Sequence, residues 1–413
     1  MAIVKPFQGL RPMPELASKV ATLPYDVMST AEARKMAAGN PISFLHVSRA
    51  EIDLTENTDV HTPAVYQKAS ENFQKFIAGR VLFQDRKPCY YAYAQTMNGR
   101  RQLGLVACSS IEDYFHDVIK KHEFTRPEKE QDRIEHMQAL QAHVGPVFLT
   151  HRPHTALREI LKAISKENAL YNFVAEDDVT HEVWLIENDE IIEQIEQIFQ
   201  QEIPYTYIAD GHHRTASAAK VGANLKAQNE AHTGFEQYNF FLSVLFAADE
   251  LAIMDYNRTV KDLDGNSVEI FLKKVGEKFA IKKVAASENR PERLHDFGMY
   301  VAGNWYRLTA KENSFTDDPI GILDVSILQN NLLAPVLHVE DPRTDTRIDF
   351  IGGIRGLSEL QTRVDTGVAA VAFALYPVSL PQLIAIADSG QVMPPKSTWF
   401  EPKLRDAMFC HQL

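Results

Sequence analysis

Residues 205–216 read YTYIADGHHRTA, an apolar, strand-like stretch that ends in Asp, Gly, two histidines and an arginine. The alanine-rich segment that continues from it, residues 214–228, favours a helix. A strand that turns directly into a helix leaves the first backbone N–H groups of that helix pointing out of its N-terminus. Because those donors and the helix dipole bind anions, phosphate above all, the stretch predicts a phosphate-binding turn.

The side chains of this turn suit the same ligand. Gly211 permits close approach of the backbone, and Arg214 can donate to two phosphate oxygens at once. His212 and His213 add donors, but neighbouring residues of a helix diverge by about 100°, which disfavours a shared metal ion. The predicted phosphate-binding residues are Gly211, His212, His213, Arg214 and Thr215.

A plainer interpretation exists for each of these residues taken alone. Asp210 could be the N-cap of the helix, the histidines ordinary polar residues, and Arg214 a solvated side chain. The combination DGHHR directly after an apolar strand favours the phosphate site over that interpretation. Asp210 and His212 are then candidate catalytic residues.

The rest of the chain alternates predicted helices and strands, which indicates a mixed α/β (α+β) fold. A chain of 413 residues is too long for one ordinary hydrophobic core, so we expect a phosphate-binding region at residues 1–260 and a second α/β domain at 261–413. The second domain is expected to close over the site. Near the start, Ser29 or Thr30 is expected to cap a short helix.

Three other local patterns carry structural predictions. The Asn-Gly pair at 98–99 predicts a β-hairpin with a type I′ turn. Thr125 and Glu128 have the spacing of a capping box, which predicts a helix that begins there. The apolar stretch ISFLHVSRA, residues 42–50, is predicted as a strand.

Composition limits the partners and the compartment. Acidic residues outnumber basic ones by 55 to 43, and the formal charge of −12 disfavours nucleic acids and anionic membranes as partners. The three cysteines, Cys89, Cys108 and Cys410, lack the CxxC spacing of zinc and redox sites, which favours the reducing cytosol. With neither a signal-peptide pattern nor a run of 18 apolar residues, we expect a cytoplasmic protein that binds a small molecule and forms a homodimer.

Four motifs in order carry a resemblance to known families. The turn ADGHHRTASA resembles the phosphate-binding turn of the ParB/sulfiredoxin superfamily, in particular the DGHHR of free serine kinases. The whole chain resembles the domain-of-unknown-function family 1015. The three further stretches that carry this match are LPYDVMS at 23–29, KHEFTRPEKEQDR at 121–133 and MPPKSTWFEPKL at 393–404.

The resemblance implies a ParB/sulfiredoxin-like nucleotide-binding core with additional α/β elements. It implies phosphoryl transfer on serine or O-phosphoserine, in either direction or as dephosphorylation in serine biosynthesis. The implied cofactors are ADP or ATP, AMP in the reverse reaction, and Mg²⁺. The alternative is a nucleotide-sensing protein that binds without turnover. Sulfiredoxin-like redox chemistry is disfavoured, because the phosphate turn of that relative contains a cysteine and this turn has histidine.

The other motifs supply further candidates. Asp26 and Glu123 are candidate catalytic residues, although Asp26 could serve as a helix cap and the charge run around Glu123 could be a solvated helix start. The candidate substrate-binding residues are His122, Arg126, Lys396 and Ser397.

Two expectations concern how these segments are arranged. We expect Asp26, the segment 120–129 and the turn at 211–215 to meet in one pocket, since none of them suffices alone for phosphoryl transfer. The glycine-rich stretch at 352–355 is predicted to be a turn first and a second anion site only secondarily.

Overall fold

A computed structural model describes residues 1–56 and 58–413 of the chain. The chain forms two compact units. Unit 1 comprises Met1–Lys121, Thr125–Leu251 and Pro402–Leu413, and unit 2 comprises His122–Phe124 and Ala252–Glu401. The sequence-based division at residue 260 differs from this one mainly in the last segment, which belongs to unit 1. Closure of a C-terminal domain over the site stays a prediction.

The described residues form strands of two to eleven residues. In chain order they are β1 (Val4–Lys5), β2 (Leu10–Pro12), β3 (Leu82–Gln84), β4 (Tyr90–Met97), β5 (Arg100–Ser110), β6 (Ile119–Lys120), β7 (Ala142–His143), β8 (Val147–His151), β9 (Tyr171–Val174), β10 (Thr180–Ile186), β11 (Thr206–Asp210), β12 (Phe240–Ala247), β13 (Ile253–Met254), β14 (Tyr256–Val260), β15 (Phe279–Val284), β16 (Asp296–Val301), β17 (Asn304–Ala310), β18 (Ile348–Gly352), β19 (Val371–Ala374), β20 (Trp399–Phe400) and β21 (His411–Gln412).

The helices of the described residues lie between these strands. In chain order they are α1 (Ala17–Val20), α2 (Thr30–Ala37), α3 (Leu45–Ser48), α4 (Pro63–Ala78), α5 (Ile111–Phe115), α6 (Pro127–Leu140), α7 (Thr155–Ile164), α8 (Asp189–Glu202), α9 (His212–Gln228), α10 (Val268–Lys278), α11 (Asp324–Leu328), α12 (Ala334–Leu337), α13 (Leu357–Asp365) and α14 (Leu380–Asp388).

Unit 1 is built on a mixed sheet with strand order β6-β11-β8-β12-β5-β4-β10-β9, and β1 pairs with β5. The pairs β11·β6 and β12·β8 are parallel, whereas β11·β8 is antiparallel and carries a bulge between Ile208 and Asp210. Strands and helices alternate along the chain, so the predicted mixed α/β fold class is confirmed. The bulge lies at the end of β11, immediately before the DGHHR turn.

The core of unit 1 forms where helices cover this sheet. In α7, the buried residues Leu157, Leu161 and Ile164 recur at helical spacing and pack into the same apolar cluster as Leu149 of β8. Each such side chain contributes about 1.5–3 kcal/mol on burial. This packing fixes the strands whose ends carry the polar turn.

Two local predictions are confirmed. Ser29 is the N-cap of α2 and forms a complete capping box with Glu32. The hairpin between β4 and β5 turns at Asn98 and Gly99, which have φ of 51° and 77°. Positive φ at both central residues is what a type I′ turn requires.

The predicted strand at 42–50 is wrong, because this stretch contains helix α3. Phe44 and Val47 stand one helical turn apart and are buried in one cluster with α4. The Phe44 ring meets Phe73 and Phe76 edge-on, with centroids 6.3 and 5.9 Å away. A short apolar run fits both a strand and a buried helix, and here tertiary packing decides for the helix.

The predicted Thr125–Glu128 capping box is also wrong. Helix α6 begins at Pro127, its N-cap is Arg126, and no side chain caps it. The Thr125 hydroxyl donates instead to the Glu130 carboxylate. Proline at the first helical position sets φ and lacks an N–H, so it fixes the helix start one residue later than the box requires.

Unit 2 contains an antiparallel sheet with strand order β15-β17-β16-β19-β14-β18. The glycine-rich stretch follows β18 and leads into α13 as a turn. A Cβ on Gly352 would lie 2.7 Å from Trp399, so close packing accounts for this glycine. Among the helices of the described chain, none has the length and apolar character needed to cross a membrane.

Candidate functional site

In the turn after β11, Asp210 is not the N-cap of the following helix. Gly211 is the N-cap of α9, with φ of 94° in the left-handed region, and no side chain caps this helix. Asp210 instead accepts a hydrogen bond through Oδ1 from the Gly211 N–H at 2.9 Å. The first turn of α9 therefore keeps its positive dipole end without a side-chain acceptor at the N-cap.

Arg214 is buried in the first turn of α9, so the interpretation of it as a solvated side chain is wrong. The residue is 7% exposed, and its Nη1 donates to the Pro146 carbonyl at 2.6 Å. Within residues 1–56 and 58–413, its Nε has no hydrogen-bond partner and its guanidinium has no carboxylate within 4.0 Å. A buried cation with an unused donor is costly unless an anion binds to it.

The electrostatic surroundings keep Arg214 charged. Burial alone would lower its pKa, but the carboxylates of Asp26, Asp210 and Asp406 raise it above its usual value. The side chain folds over Gly211, where an added Cβ would lie 3.2 Å from Nε. The Arg214 guanidinium therefore packs directly against the Gly211 backbone.

Asp210 is tied to the C-terminal segment of unit 1. Its Oδ2 accepts a hydrogen bond from Lys403 Nζ at 3.1 Å; the Lys403 side chain is 10% exposed and that of Asp210 is half-buried. Burial would raise the pKa of Asp210, but Lys403 and Arg214 hold it well below its usual range. Since both Asp210 oxygens accept hydrogen bonds, the carboxylate positions Gly211 and Lys403, and its predicted catalytic role stays a prediction.

Replacing Lys403 with methionine should lower the free energy of unfolding at pH 7 by about 1–2 kcal/mol, because a half-buried carboxylate loses its partner. The folded pKa of Asp210 is depressed, so this stabilisation is fully present above the unfolded pKa of about 3.9 and is lost progressively as the pH falls from there through the lower folded pKa. Urea unfolding at pH 7 and at pH 3 would measure both effects. Lys226→Met breaks an exposed pair with Glu112 and should destabilise the protein much less, because solvent screens that pair. Equal losses in the two variants at pH 7 would contradict the prediction.

The two histidines of the turn have different surroundings. His212 is buried, and this burial is the main cause that lowers its pKa to about 4. His213 accepts a hydrogen bond through Nε2 from the Arg126 backbone N–H at 3.0 Å, which requires that nitrogen to be unprotonated. This bond places the N-cap of α6 beside the first turn of α9. Two helix N-termini therefore meet at the turn.

A cavity of about 30 Å³ lies beside the Arg214 guanidinium. Tyr25 reaches it from the LPYDVMS stretch and Arg133 from α6, with the Arg133 guanidinium 3.7 Å from the centre of the Tyr25 ring. Arg133 also donates to Asp132 Oδ2 at 2.6 Å. Three of the four ordered motifs thus line one cavity in unit 1.

Two further polar residues of the cavity were missed by sequence reasoning. Asp406 is 3% exposed, and burial raises its pKa to about 7, although Arg214 acts against that rise. His143 is buried with both ring nitrogens lacking a partner among the described residues. Asp406 stands two residues after the MPPKSTWFEPKL stretch, and nothing in the local sequence links it to a turn almost two hundred residues earlier.

The remaining predicted residues are divided between the units. Asp26 is exposed in unit 1, in a 3₁₀ turn (Tyr25–Val27), and lies close enough to Arg214 to raise its pKa. Unit 2 contains His122 and Glu123, whose roles stay predictions. It also contains the other two predicted substrate-binding residues, Lys396 and Ser397.

Two polar groups of the unit 2 candidates form hydrogen bonds within unit 2. The Ser397 hydroxyl donates to the Pro394 carbonyl at 2.6 Å, and the Lys396 carbonyl accepts from Arg258 Nη2 at 2.9 Å. The predicted meeting of segment 120–129 with the turn is seen for Arg126, through its backbone bond to His213. For Glu123 it stays a prediction.

In the described part of the chain, no group of three His, Cys, Asp or Glu side chains is placed to hold a metal ion. The donor set that the site does offer consists of N–H groups and a guanidinium, which suit the phosphate part of a nucleotide. The buried, unpartnered Arg214 Nε is the observation that supports this fit.

The mixed α/β fold defines the class, and the comparisons identify the family. The chain belongs to the family described as Protein of unknown function (DUF1015), whose model matches residues 4–326. A search of curated proteins finds no match.

Several solved structures resemble the fold. A conserved hypothetical protein from Pyrococcus furiosus is 14% identical, with a TM-score of 0.37, over 71% of this chain and 91% of that one. A variant of a free serine kinase in complex with AMP has the same identity and TM-score over 70% and 88%. SbnI from Staphylococcus aureus, truncated at its C-terminus, is 10% identical with a TM-score of 0.38 over 74% and 85%.

Proposed function

We propose that this protein is a phosphoryl-transfer enzyme that interconverts serine and O-phosphoserine, with a nucleotide phosphate bound at the DGHHR turn. The observation that carries the proposal is Arg214, a buried guanidinium beside the N-terminus of α9 that has an unused Nε donor and no carboxylate partner in the described residues. A transferring phosphoryl group would supply an acceptor oxygen for this Nε and for the N–H groups that open α9.

The residues of the turn have separable tasks in this reaction. The N–H groups that open α9, with Gly211 allowing close approach, hold the phosphoryl oxygens. Arg214 neutralises the charge that develops on them in the transition state. Neutral His212 and the bond from Arg126 to His213 keep the first turn in place without adding competing anions.

The assignment of the nucleotide and the assignment of serine as substrate are supported by different observations. A bound ADP or ATP would supply the phosphoryl group, or accept it in the reverse direction. Serine as the other substrate rests on the resemblance of ADGHHRTASA to the turn of the free serine kinases. We assign Asp26 to the substrate side of the same site, a role supported by its electrostatic influence on Arg214.

Turnover of the purified protein tests the proposal. O-phosphoserine would be incubated alone, with AMP and with ADP, each with Mg²⁺, and serine with ADP or ATP; serine, phosphate and nucleotide products are then quantified. We expect serine release from O-phosphoserine in at least one mixture, and much less from O-phosphothreonine as the matched control. Saturable nucleotide binding without turnover in any mixture would favour the alternative, a nucleotide-sensing protein.

A further inference from the structure

Asp406 is held rigidly in the cavity wall. Its N–H donates to the Thr22 carbonyl at 2.9 Å, its carbonyl accepts from the Thr22 N–H at 3.3 Å, and the next N–H, of Ala407, donates to Val144 at 2.9 Å. The carboxylate packs directly against Gly145, where any Cβ would overlap Oδ1. The backbone hydrogen bonds of Asp406 and Ala407 and the contact with Gly145 therefore fix the position of the Asp406 side chain.

The carboxylate of Asp406 has no hydrogen bond from any of the residues 1–56 and 58–413. The same cavity is lined by Arg214 and by His143, which also have unpartnered nitrogens in that part of the chain. A volume of about 30 Å³ accommodates a hydroxyl-sized group, since a water molecule needs roughly 10–15 Å³. The polar atoms around this space are thus arranged to receive a small hydroxyl group.

The charges that face Asp406 come from four segments. Burial has the largest effect and raises the pKa of Asp406. The guanidinium groups of Arg214, Arg133 and Arg405 lower this pKa, whereas the Asp26 carboxylate raises it. The net result is a pKa of about 7, which suits a general acid or base at neutral pH.

The other titratable groups of the cavity do not compete for this proton at pH 7. Burial lowers the pKa of His136 to about 4 and that of His143 well below its usual value. Burial likewise raises the pKa of Tyr25 to about 12. Of these groups, Asp406 has the pKa closest to neutral pH.

We propose that Asp406 exchanges a proton with the hydroxyl oxygen of the serine substrate, acting as base when serine attacks and as acid when serine leaves. This inference rests on the proposed function and adds to it the acid–base residue. Its geometric basis is a fixed, unpaired carboxylate in one cavity with Arg214, the residue assigned to the phosphoryl group.

The proton balance is the same for each direction. In phosphorylation of serine, the O–H proton passes to the Asp406 carboxylate, the serine oxygen forms a bond to phosphorus, and the nucleotide oxygen leaves with the electron pair. In the reverse reaction that oxygen attacks, the phosphorus–serine bond breaks, and the protonated Asp406 returns its proton to the serine oxygen. If water is the acceptor instead, its proton goes to solvent while Asp406 still protonates serine.

Asp406→Asn tests the proposal, because asparagine preserves the shape and cannot exchange the proton. We expect kcat/KM to fall about a hundredfold or more, with KM for O-phosphoserine changed less than about threefold. In wild type, serine phosphorylation should decline below about pH 7 and O-phosphoserine consumption above it. Both of these pH-dependent declines in rate should vanish in the variant. The pH dependence that comes from the substrate phosphate, with a pKa of about 6, should remain.

The matched control is Asp324→Asn in unit 2, a buried carboxyl whose pKa burial also raises to about 7. This variant should keep kcat/KM within about twofold. Urea unfolding of each variant separates loss of folding from loss of chemistry. The ¹³C signal of the Asp406 carboxyl, assigned by its loss in the variant, should titrate near pH 7.

Three results would overturn the assignment. The first is a folded Asp406→Asn protein with wild-type kcat and pH limbs. The second is a rise in KM at unchanged kcat, which would make the carboxylate a binding group for the serine ammonium. The third is a carboxyl signal that titrates below about pH 5. Failure of the wild-type protein to turn over any mixture would instead overturn the proposed function, and the Asp406 role with it.

Discussion

Arg214→Ala is expected to lower kcat/KM for serine–phosphoserine interconversion by about a hundredfold or more. A single preorganised donor to developing transition-state charge commonly contributes roughly 3 kcal/mol, and Arg214 is buried, charged and equipped with an unused donor. The loss should appear mainly in kcat if the guanidinium acts on the transition state, and in KM if it only binds the ground state. Steady-state kinetics in both directions would measure it.

Two further variants separate chemistry from stability. Arg214→Lys retains the charge but loses the planar fork, so it should recover part of the activity. Arg11→Ala removes another buried guanidinium of unit 1, one that pairs with Asp85 away from the cavity, and should destabilise the protein while leaving kcat/KM per folded molecule within about twofold. Normal turnover by folded Arg214→Ala would refute the role of Arg214.

Gly211→Ala is expected to weaken phosphate binding about tenfold or more, besides destabilising the fold. A side chain at φ of 94° costs about 1–2 kcal/mol, and the new Cβ would lie 3.2 Å from Arg214 Nε, which forces the guanidinium to move. A misplacement of this kind next to the reacting group is enough for a large functional loss. Calorimetric titration with inorganic phosphate and urea unfolding would measure the two effects separately.

Gly99→Ala is the matched control for the conformational cost of placing a side chain at positive φ. Gly99 has φ of 77° in the β4–β5 hairpin, and nothing lies within 4 Å of the position of an added Cβ. Its alanine variant should lose a similar 1–2 kcal/mol of unfolding free energy and keep its phosphate affinity. Equal phosphate affinities in the two variants would show that the conformation of Gly211 does not organise an anion site.

Sequence patterns predicted those parts of the fold that local physics determines. The strand–glycine–helix succession around Gly211 and the Asn-Gly hairpin each need a positive φ that few residues tolerate, so the residues themselves reveal the turns. Ser29 and Glu32 likewise form a capping box within one helical turn. In each case the deciding interactions span only a few residues.

Tertiary contacts determined what the sequence could not predict. Phe44 lies in a helix because Phe73 and Phe76 surround it, and no local pattern reveals that packing. In sequence Arg214 resembles a solvated residue at a helix start, but in the fold it is buried and donates to the Pro146 carbonyl, 68 residues earlier in the chain. Asp406 acquires its raised pKa from burial among residues far away in the chain, so its chemistry is invisible without the fold.

The most direct test of the central claim is a crystal structure of the protein grown with inorganic phosphate or with a nucleotide. We expect an oxyanion on the backbone N–H groups of residues 211–214, with the Arg214 guanidinium about 2.7–3.1 Å from its oxygens. Density for the anion at another place, with this turn empty or covered by other side chains, would refute a phosphate site at the DGHHR turn.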